Sequence, residues 1–224
     1  ELAAKVYHQM TWKNKANHIA NLVSHNFSHR GKRNLIHPKA HHLARLYKKD
    51  QYFWSSFSPA GYQVHFDMPG NTFAVLAGLN HHQKSLKTFI NKTAKELGSW
   101  LLPVHFPIIK KGDPEWALLS QNYTYKFKNK PYHFHNGGAW PIFLGWLGVA
   151  LSIKKIDKIT IQLYNCLTQQ MTRAKENLRF SEYFTTDFFK PQGTSNLCFS
   201  AAGLLLLHHT VFNHQTLQQQ LKKL

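Results

Sequence analysis

Acidic residues are scarce in this chain. Only ten of its 224 residues are Asp or Glu, against 28 Lys and Arg, which gives a formal net charge of +18. Any acid–base chemistry must therefore draw on Glu1, Asp50, Asp67, Glu96, Asp113, Glu115, Asp157, Glu176, Glu182 and Asp187, or on the sixteen histidines. Cysteine is nearly absent too. Cys166 and Cys198 stand alone with no Cys-x-x-Cys pattern, so neither a disulfide scaffold nor a cysteine-based zinc site is signalled, and reduced, mostly buried thiols are expected. The N-terminus lacks a signal-peptide core. The longest apolar run, Pro141 to Ile153, is too short to span a bilayer. These absences read as a soluble, cytoplasmic protein with no membrane partner. No alternating stretch is long enough to compete with helix, although Tyr62 to Phe66 could form a short extended piece.

What is present is apolar enough to fold. Hydrophobic residues make up 43% of the chain, which argues against disorder over most of it. The excess of lysine attracts polyanions without sequence preference. No recognised nucleic-acid-binding module accompanies it, so a specific nucleic-acid partner is not expected.

Helical spacing organises the chain. Leu2, Val6, Met10, Ala16, Ile19, Ala20 and Val23 recur at that period, and Gly31 is a natural stop. Residues 34–49 read as loop and then a short helix, and the aromatic, Ser/Pro/Gly-rich stretch Tyr52 to His65 as a structured loop. Pro69-Gly70-Asn71 opens a buried helix at Thr72 to Leu79, followed by an amphipathic one at Gln83 to Leu97 with Leu86, Phe89, Ile90 and Ala94 on one face. Trp100 to Phe127 is broken repeatedly by proline and glycine, which in a compact domain suggests a loop serving a site. The pattern then recurs. Asn136-Gly137-Gly138 feeds an apolar helix from Pro141 to Ile153, Asp157 to Glu176 is amphipathic, and Arg179 to Asn196 leads into an apolar helix at Ser200 to His209. Apolar inner helices opened by polar loops, with amphipathic outer helices between them, describe an all-α fold: a partial α/α toroid with its loops converging on one rim.

The densest chemistry lies in Tyr132-His133-Phe134-His135-Asn136-Gly137-Gly138-Ala139-Trp140-Pro141. Glycines permit close backbone approach, Asn136 and His135 offer directional hydrogen bonds to substrate hydroxyls, and Trp140 can stack on a sugar face or fill a core. His133 and His135 lack a third ligand at telling spacing, so no metal is expected. Glu182, in Phe180-Ser181-Glu182-Tyr183-Phe184, is either a loop carboxylate paired with Arg179 or a catalytic group. Its aromatic neighbours favour the second reading, as general base on a water or as nucleophile at an anomeric carbon. Asp67 either caps a helix or grips sugar hydroxyls, with a proton-donor role weaker, and Asn71 caps or binds substrate. Asp113 and Glu115 read as a surface turn, and Asp187 is similar. The adjacent pairs His41-His42, His81-His82 and His208-His209 point in different directions on a helix and carry little weight.

At these residues the sequence resembles the six-hairpin glycosidases, especially the alkaline/neutral invertases and the amylo-α-1,6-glucosidase (glycogen debranching) type. Three segments carry the resemblance: His65-Phe66-Asp67-Met68-Pro69-Gly70-Asn71 with Ala74-Val75-Leu76; Tyr132 to Pro141, similar to a Tyr-His-Asn-Gly-Gly-x-Trp-Pro signature with Phe134 inserted; and Glu182-Tyr183-Phe184 with Pro191, Gly193 and Ser200-Ala201-Ala202-Gly203. The resemblance implies an (α/α)6 barrel and hydrolysis of the O-glycosidic bond of sucrose or an α-glucoside without a cofactor. It also implies a catalytic role for Glu182; Glu182 activating the incoming water would give inversion. Two departures stand out. Asn196-Leu197-Cys198-Phe199 replaces an expected Gln and Trp, and a complete barrel needs about twice this length. Residues 1–224 are thus expected to be the C-terminal portion of such a catalytic domain, working with a complementary N-terminal fragment that carries the partner aspartate. The rival expectations are a non-catalytic carbohydrate-binding or structural remnant, and a basic nucleic-acid-associated protein.

Overall fold

The computed structural model describes residues 2–28, 52–58, 61–79, 83–121, 126–175 and 180–214. The expected stop at Gly31, the helix within 34–49, His41-His42, His81-His82 and Arg179 fall outside them. The chain forms two compact units, residues 1–64 and 65–224.

In the first unit α1 (Leu2–Asn26) follows the expected spacing. Its last turn is tied down by side chains that donate back along the helix, Asn26 Nδ2 to the Leu22 carbonyl at 2.8 Å and Ser28 Oγ to that of Ser24 at 2.7 Å. The loop expected at Tyr52 to His65 is instead largely extended: β1 (Trp54–Ser58) lies beside β2 (Gly61–Asp67). Alternation of Tyr62, Val64 and Phe66 with Gln63, His65 and Asp67 is a period-two signal. β2 holds the short extended piece expected at Tyr62 to Phe66; the surrounding Ser, Pro and Gly obscure β1.

The second unit is helical. α2 (Met68–Leu76) starts at Asp67, whose carboxylate accepts the Gly70 N–H, with Pro69 in the first turn where its missing donor costs nothing. α3 (Gln83–Leu97) buries Leu86, Phe89, Ile90, Thr93 and Ala94 as its amphipathic pattern requires. The long Trp100–Phe127 stretch contains β3 (His105–Phe106), which pairs antiparallel with the end of β2 (Phe66 opposite Phe106, Asp67 opposite His105), and the short α4 (Trp116–Gln121).

α5 (Pro141–Leu151) is apolar all round and correspondingly buried; α6 (Lys158–Arg173) is amphipathic; α7 (Cys198–Phe212) is again apolar. α5 packs against α2, α6 and α7, and α6 also packs on α7. Apolar inner helices α2, α5 and α7 with amphipathic α3 and α6 form a partial α/α toroid-like arrangement.

Two details fix it. α5 and α7 meet backbone to backbone: a Cβ on Gly145 would lie 2.6 Å from the Gly203 carbonyl oxygen, and one on Gly203 would collide with the Pro141 carbonyl. At the α5–α6 turn, Ser152 Oγ and Thr160 Oγ1 share a hydrogen bond of 2.8 Å. Thr160 Oγ1 also reaches the Gly148 carbonyl, and Asp157 caps α6 while its other oxygen receives Lys87 Nζ of α3 at 2.6 Å. No helix among the described residues is long and apolar enough to cross a membrane.

Candidate functional site

Main-chain hydrogen bonds lace the rim segments of the second unit together. Met68 N–H donates to the Val104 carbonyl at 2.8 Å, and Val104 N–H to that of Gly138 at 3.0 Å. Ala139 and Phe184 exchange both their N–H···O bonds at 2.8 Å. Thr186 binds the turn twice more, through its N–H to Tyr132 O at 3.2 Å and its Oγ1 to Gly137 O at 2.6 Å. The Asp67, His-Asn-Gly-Gly and Glu182 segments therefore share one framework.

The turn itself is tightly wound. Tyr132, Phe134 and Gly137 all have positive φ (71°, 45° and 99°), a conformation only glycine adopts without cost. The structure shows what holds it. Asn136 is 2% exposed; its Oδ1 accepts the Ile109 N–H at 2.9 Å, and its Nδ2 donates to the Ile109 carbonyl at 2.8 Å and the Asn129 carbonyl at 3.2 Å. Asn129 Oδ1 in turn accepts the His135 N–H at 3.1 Å. Asn136 thus behaves as a staple between the turn and the Ile109 loop, with both amide hydrogens committed.

Trp140 is likewise drawn inward. It is 9% exposed, donates its indole N–H to the Phe134 carbonyl at 3.1 Å, and packs with Val104 and Tyr183. The His135 ring lies parallel to it, 4° from coplanar with centroids 5.0 Å apart, and Tyr183 stacks at 5.8 Å. Of the two readings of Trp140, its burial and its contacts with His135 and Tyr183 fit the core-filling one. His135 is exposed on its far side. Burial against the indole pulls its pKa below the ordinary value, and the Glu182 charge acts in the opposite direction.

Glu182 lies at the edge of β4 (Tyr183–Phe184), which pairs with β5 (Pro191–Gln192). Its N–H donates to Thr194 O at 2.8 Å, and its Oε2 accepts the Thr194 N–H at 3.1 Å. Gly193, at φ 79°, passes directly under the carboxylate; a Cβ there would collide with Oε2. The carboxylate opens into a cleft of about 490 Å³ lined by Phe127, Phe134, Tyr183 and Gln192 among others. Burial raises the Tyr183 pKa, the Phe134 backbone opposes that shift, and the Glu182 charge adds to it.

Of the six residues that the sequence singles out, Glu182 is the one that lines this cleft. Asp67 is spent on the α2 cap, and burial raises its pKa while the Gly70 N–H partly restores it. Asn71, 2% exposed, donates to the Asp67 carbonyl at 2.9 Å. These two sit at the start of an inner helix within the same framework, with the hydrogen bonds of a helix start. The sequence reading passed over Lys126, Lys128, Lys130 and Gln192, which also line the cleft. The alternation of the three lysines was the available signal, lost in a chain rich in lysine.

A second buried polar feature was also missed. His65 and His105 meet edge to face with ring centroids 4.7 Å apart, and the Nδ1 of each is buried without a hydrogen-bond partner. Glu115 stands 4.0 Å from His65 Nε2, so the segment expected as a surface turn touches this pair. Among the described residues, no three His, Cys, Asp or Glu side chains gather where they could hold a metal ion.

Inner helices opened by laced rim loops fit a toroid-like arrangement, and a family match places the chain among the six-hairpin glycosidases. More narrowly, residues 10–214 match the family described as alkaline and neutral invertase, and the chain belongs to that family. It is 30% identical over 141 residues to alkaline/neutral invertase C, mitochondrial, of Arabidopsis thaliana, a match covering 62% of this chain and 20% of that protein. Over 109 residues it is 29% identical to neutral/alkaline invertase 3, chloroplastic, of Oryza sativa subsp. japonica (47% of this chain, 17% of that one). With cytosolic invertase 1 of the same species it shares 31% over 106 residues, 46% and 18% of the two chains. The matched stretches thus span a fifth or less of these relatives' length.

Proposed function

We propose that this chain supplies one wall of the active cleft of a glycoside hydrolase acting on sucrose or another α-glucoside, with Glu182 as general base. The carboxylate would orient a water beneath the anomeric carbon while a second carboxyl group protonates the leaving oxygen, giving inversion. The observation that carries this reading is the setting of Glu182. One oxygen is fixed by the Thr194 N–H, and an open cleft with aromatic walls lies beside it. A carboxylate held in place beside a cleft that can receive a ligand is the arrangement that acid–base catalysis asks for.

The second carboxyl group comes, on this proposal, from a complementary N-terminal fragment. Two observations support that. Glu182 is the sole carboxylate among the described residues lining the cleft. In addition, α7 exposes the apolar side chains of Phe199 (62%), Leu205 (65%) and Phe212 (61%), which further chain could cover. The lone carboxylate equally favours a second reading, a carbohydrate-binding remnant without turnover.

Substituting Glu182→Gln in the enzyme assembled with its N-terminal portion tests the proposal. The expected outcome is a loss of kcat of about 10²–10⁴-fold with sugar binding retained. Retained turnover refutes the assignment, and absence of turnover in the unaltered assembly leaves the binding reading.

A further inference from the structure

The cleft beside Glu182 carries an unusual charge for a site that receives a neutral sugar. Lys126, Lys128 and Lys130 all line it, opposed by one carboxylate. They alternate along the sequence, and all three reach the same cleft. Phe127 and Asn129 fall between them; Asn129 is 6% exposed and holds the His135 N–H, so the segment is anchored to the rim turn. Lys128 is also held in place, with Nζ 5.1 Å above the Phe134 ring, itself a wall of the cleft. No described residue forms an ion pair with any of the three lysines. All three are exposed at the cleft mouth, where their summed charge attracts anions.

We propose that the ligand of this cleft is a glycoside bearing an anionic group, a phosphate monoester, seated on Lys126, Lys128 and Lys130 while its sugar ring faces Phe134, Tyr183 and Glu182. The inference rests on the reading of the cleft as a sugar site and adds the charge of its ligand. A phosphate monoester carries nearly two negative charges near neutral pH and three acceptor oxygens, which matches the positive surplus of the lysines over Glu182. The cleft's volume of about 490 Å³ falls within the ordinary range for small-molecule sites. Ammonium groups act as point charges toward phosphate and need no bidentate geometry, so three lysines at one cleft suffice.

The test is titration calorimetry on the full chain at low and physiological salt, using sucrose, a phosphorylated sucrose and inorganic phosphate as three separate probes. The phosphorylated disaccharide is expected to bind at least tenfold tighter than sucrose and tighter than inorganic phosphate, with the preference shrinking as salt rises. The triple variant Lys126→Ala/Lys128→Ala/Lys130→Ala is expected to lose the preference and keep its affinity for sucrose. A control variant, Lys154→Ala/Lys155→Ala/Lys175→Ala, removes equal charge from exposed positions outside the cleft and is expected to keep the preference. Equal binding of the two disaccharides, no binding of either, or inorganic phosphate binding as tightly as the phosphorylated sugar overturns the proposal. So does a preference that survives the cleft variant or is lost in the control. Glu182→Gln removes the one opposing charge and is expected to keep or strengthen the phosphate preference, so loss of turnover and loss of charge selectivity report separately on the two readings.

Discussion

Acidification between pH 7 and pH 5 should destabilise this protein through His105, by an amount the structure allows to be worked out. Burial is the first cause of its depressed pKa, the neighbouring His65 adds to it, and a hydrogen bond with the Pro107 backbone opposes it; the result is a value of about 4 against an ordinary 6.5. Its Nδ1 is buried without a partner, so a proton added there gains nothing in return. The folded state therefore keeps the ring neutral where the unfolded chain has already bound a proton. Because the unfolded state binds more protons between 6.5 and about 4, stability falls as pH falls through that window and levels off below it. From pH 7 to pH 5 the linkage amounts to about 2 kcal/mol, rising toward about 3 kcal/mol once both states are protonated. His65, also depressed by burial but raised by Glu115 and Asp113, contributes in the same direction. Asp67, raised by burial, acts oppositely at lower pH. Comparison with His105→Gln isolates the His105 share. Urea unfolding followed by tryptophan fluorescence at both pH values should show the variant losing about 2 kcal/mol less than the parent, which for a protein of this size corresponds to about 4–8 °C in Tm. Equal losses in both proteins, or an NMR titration of His105 near 6.5, would refute the reasoning.

Other substitutions probe the framework. Asn136→Ala leaves the Ile109 N–H and carbonyl and the Asn129 carbonyl without their buried partner, so a loss of about 2–4 kcal/mol is expected in chemical denaturation. A change below 1 kcal/mol would show that water replaces the amide. Gly203→Ala drives a methyl into the Pro141 carbonyl, where backbone rather than a flexible side chain must yield. Overpacking of that kind should cost about 1–3 kcal/mol or more and separate α5 from α7, read as a lower Tm and faster amide exchange in both helices.

How much of this was legible beforehand follows from how local each signal is. α3 matches the sequence reading at both ends because Leu86, Phe89, Ile90 and Ala94 repeat at the helical period and no tertiary contact is needed to see them. The starts of α5 and α6 are written in Pro141 and Asp157, one fitting a first turn and the other supplying a cap. β3 was obscured because its pairing is set by chain far away: it is two residues long and becomes a strand only opposite Phe66 and Asp67. The fates of Asn136 and Trp140 were open for a similar reason. Whether a polar side chain faces a ligand or a backbone depends on the Ile109 loop in one case and on Phe134 and His135 in the other. Neither partner can be inferred from spacing.

That division bears on what a signature such as His-Asn-Gly-Gly-x-Trp-Pro means in this chain. Most of its hydrogen-bonding capacity is spent inward: the Asn136 amide on two loops, the Trp140 indole on Phe134, the Gly138 main chain on Phe134 and Val104. These bonds build a ledge, and Ala139 pairs that ledge with Phe184, two residues beyond Glu182. Register along β4 then fixes where the carboxylate emerges, because a shift of one residue would turn it to the opposite face. On the proposed function the signature acts by position, and damage to it should reach Glu182 through the Ala139–Phe184 pair.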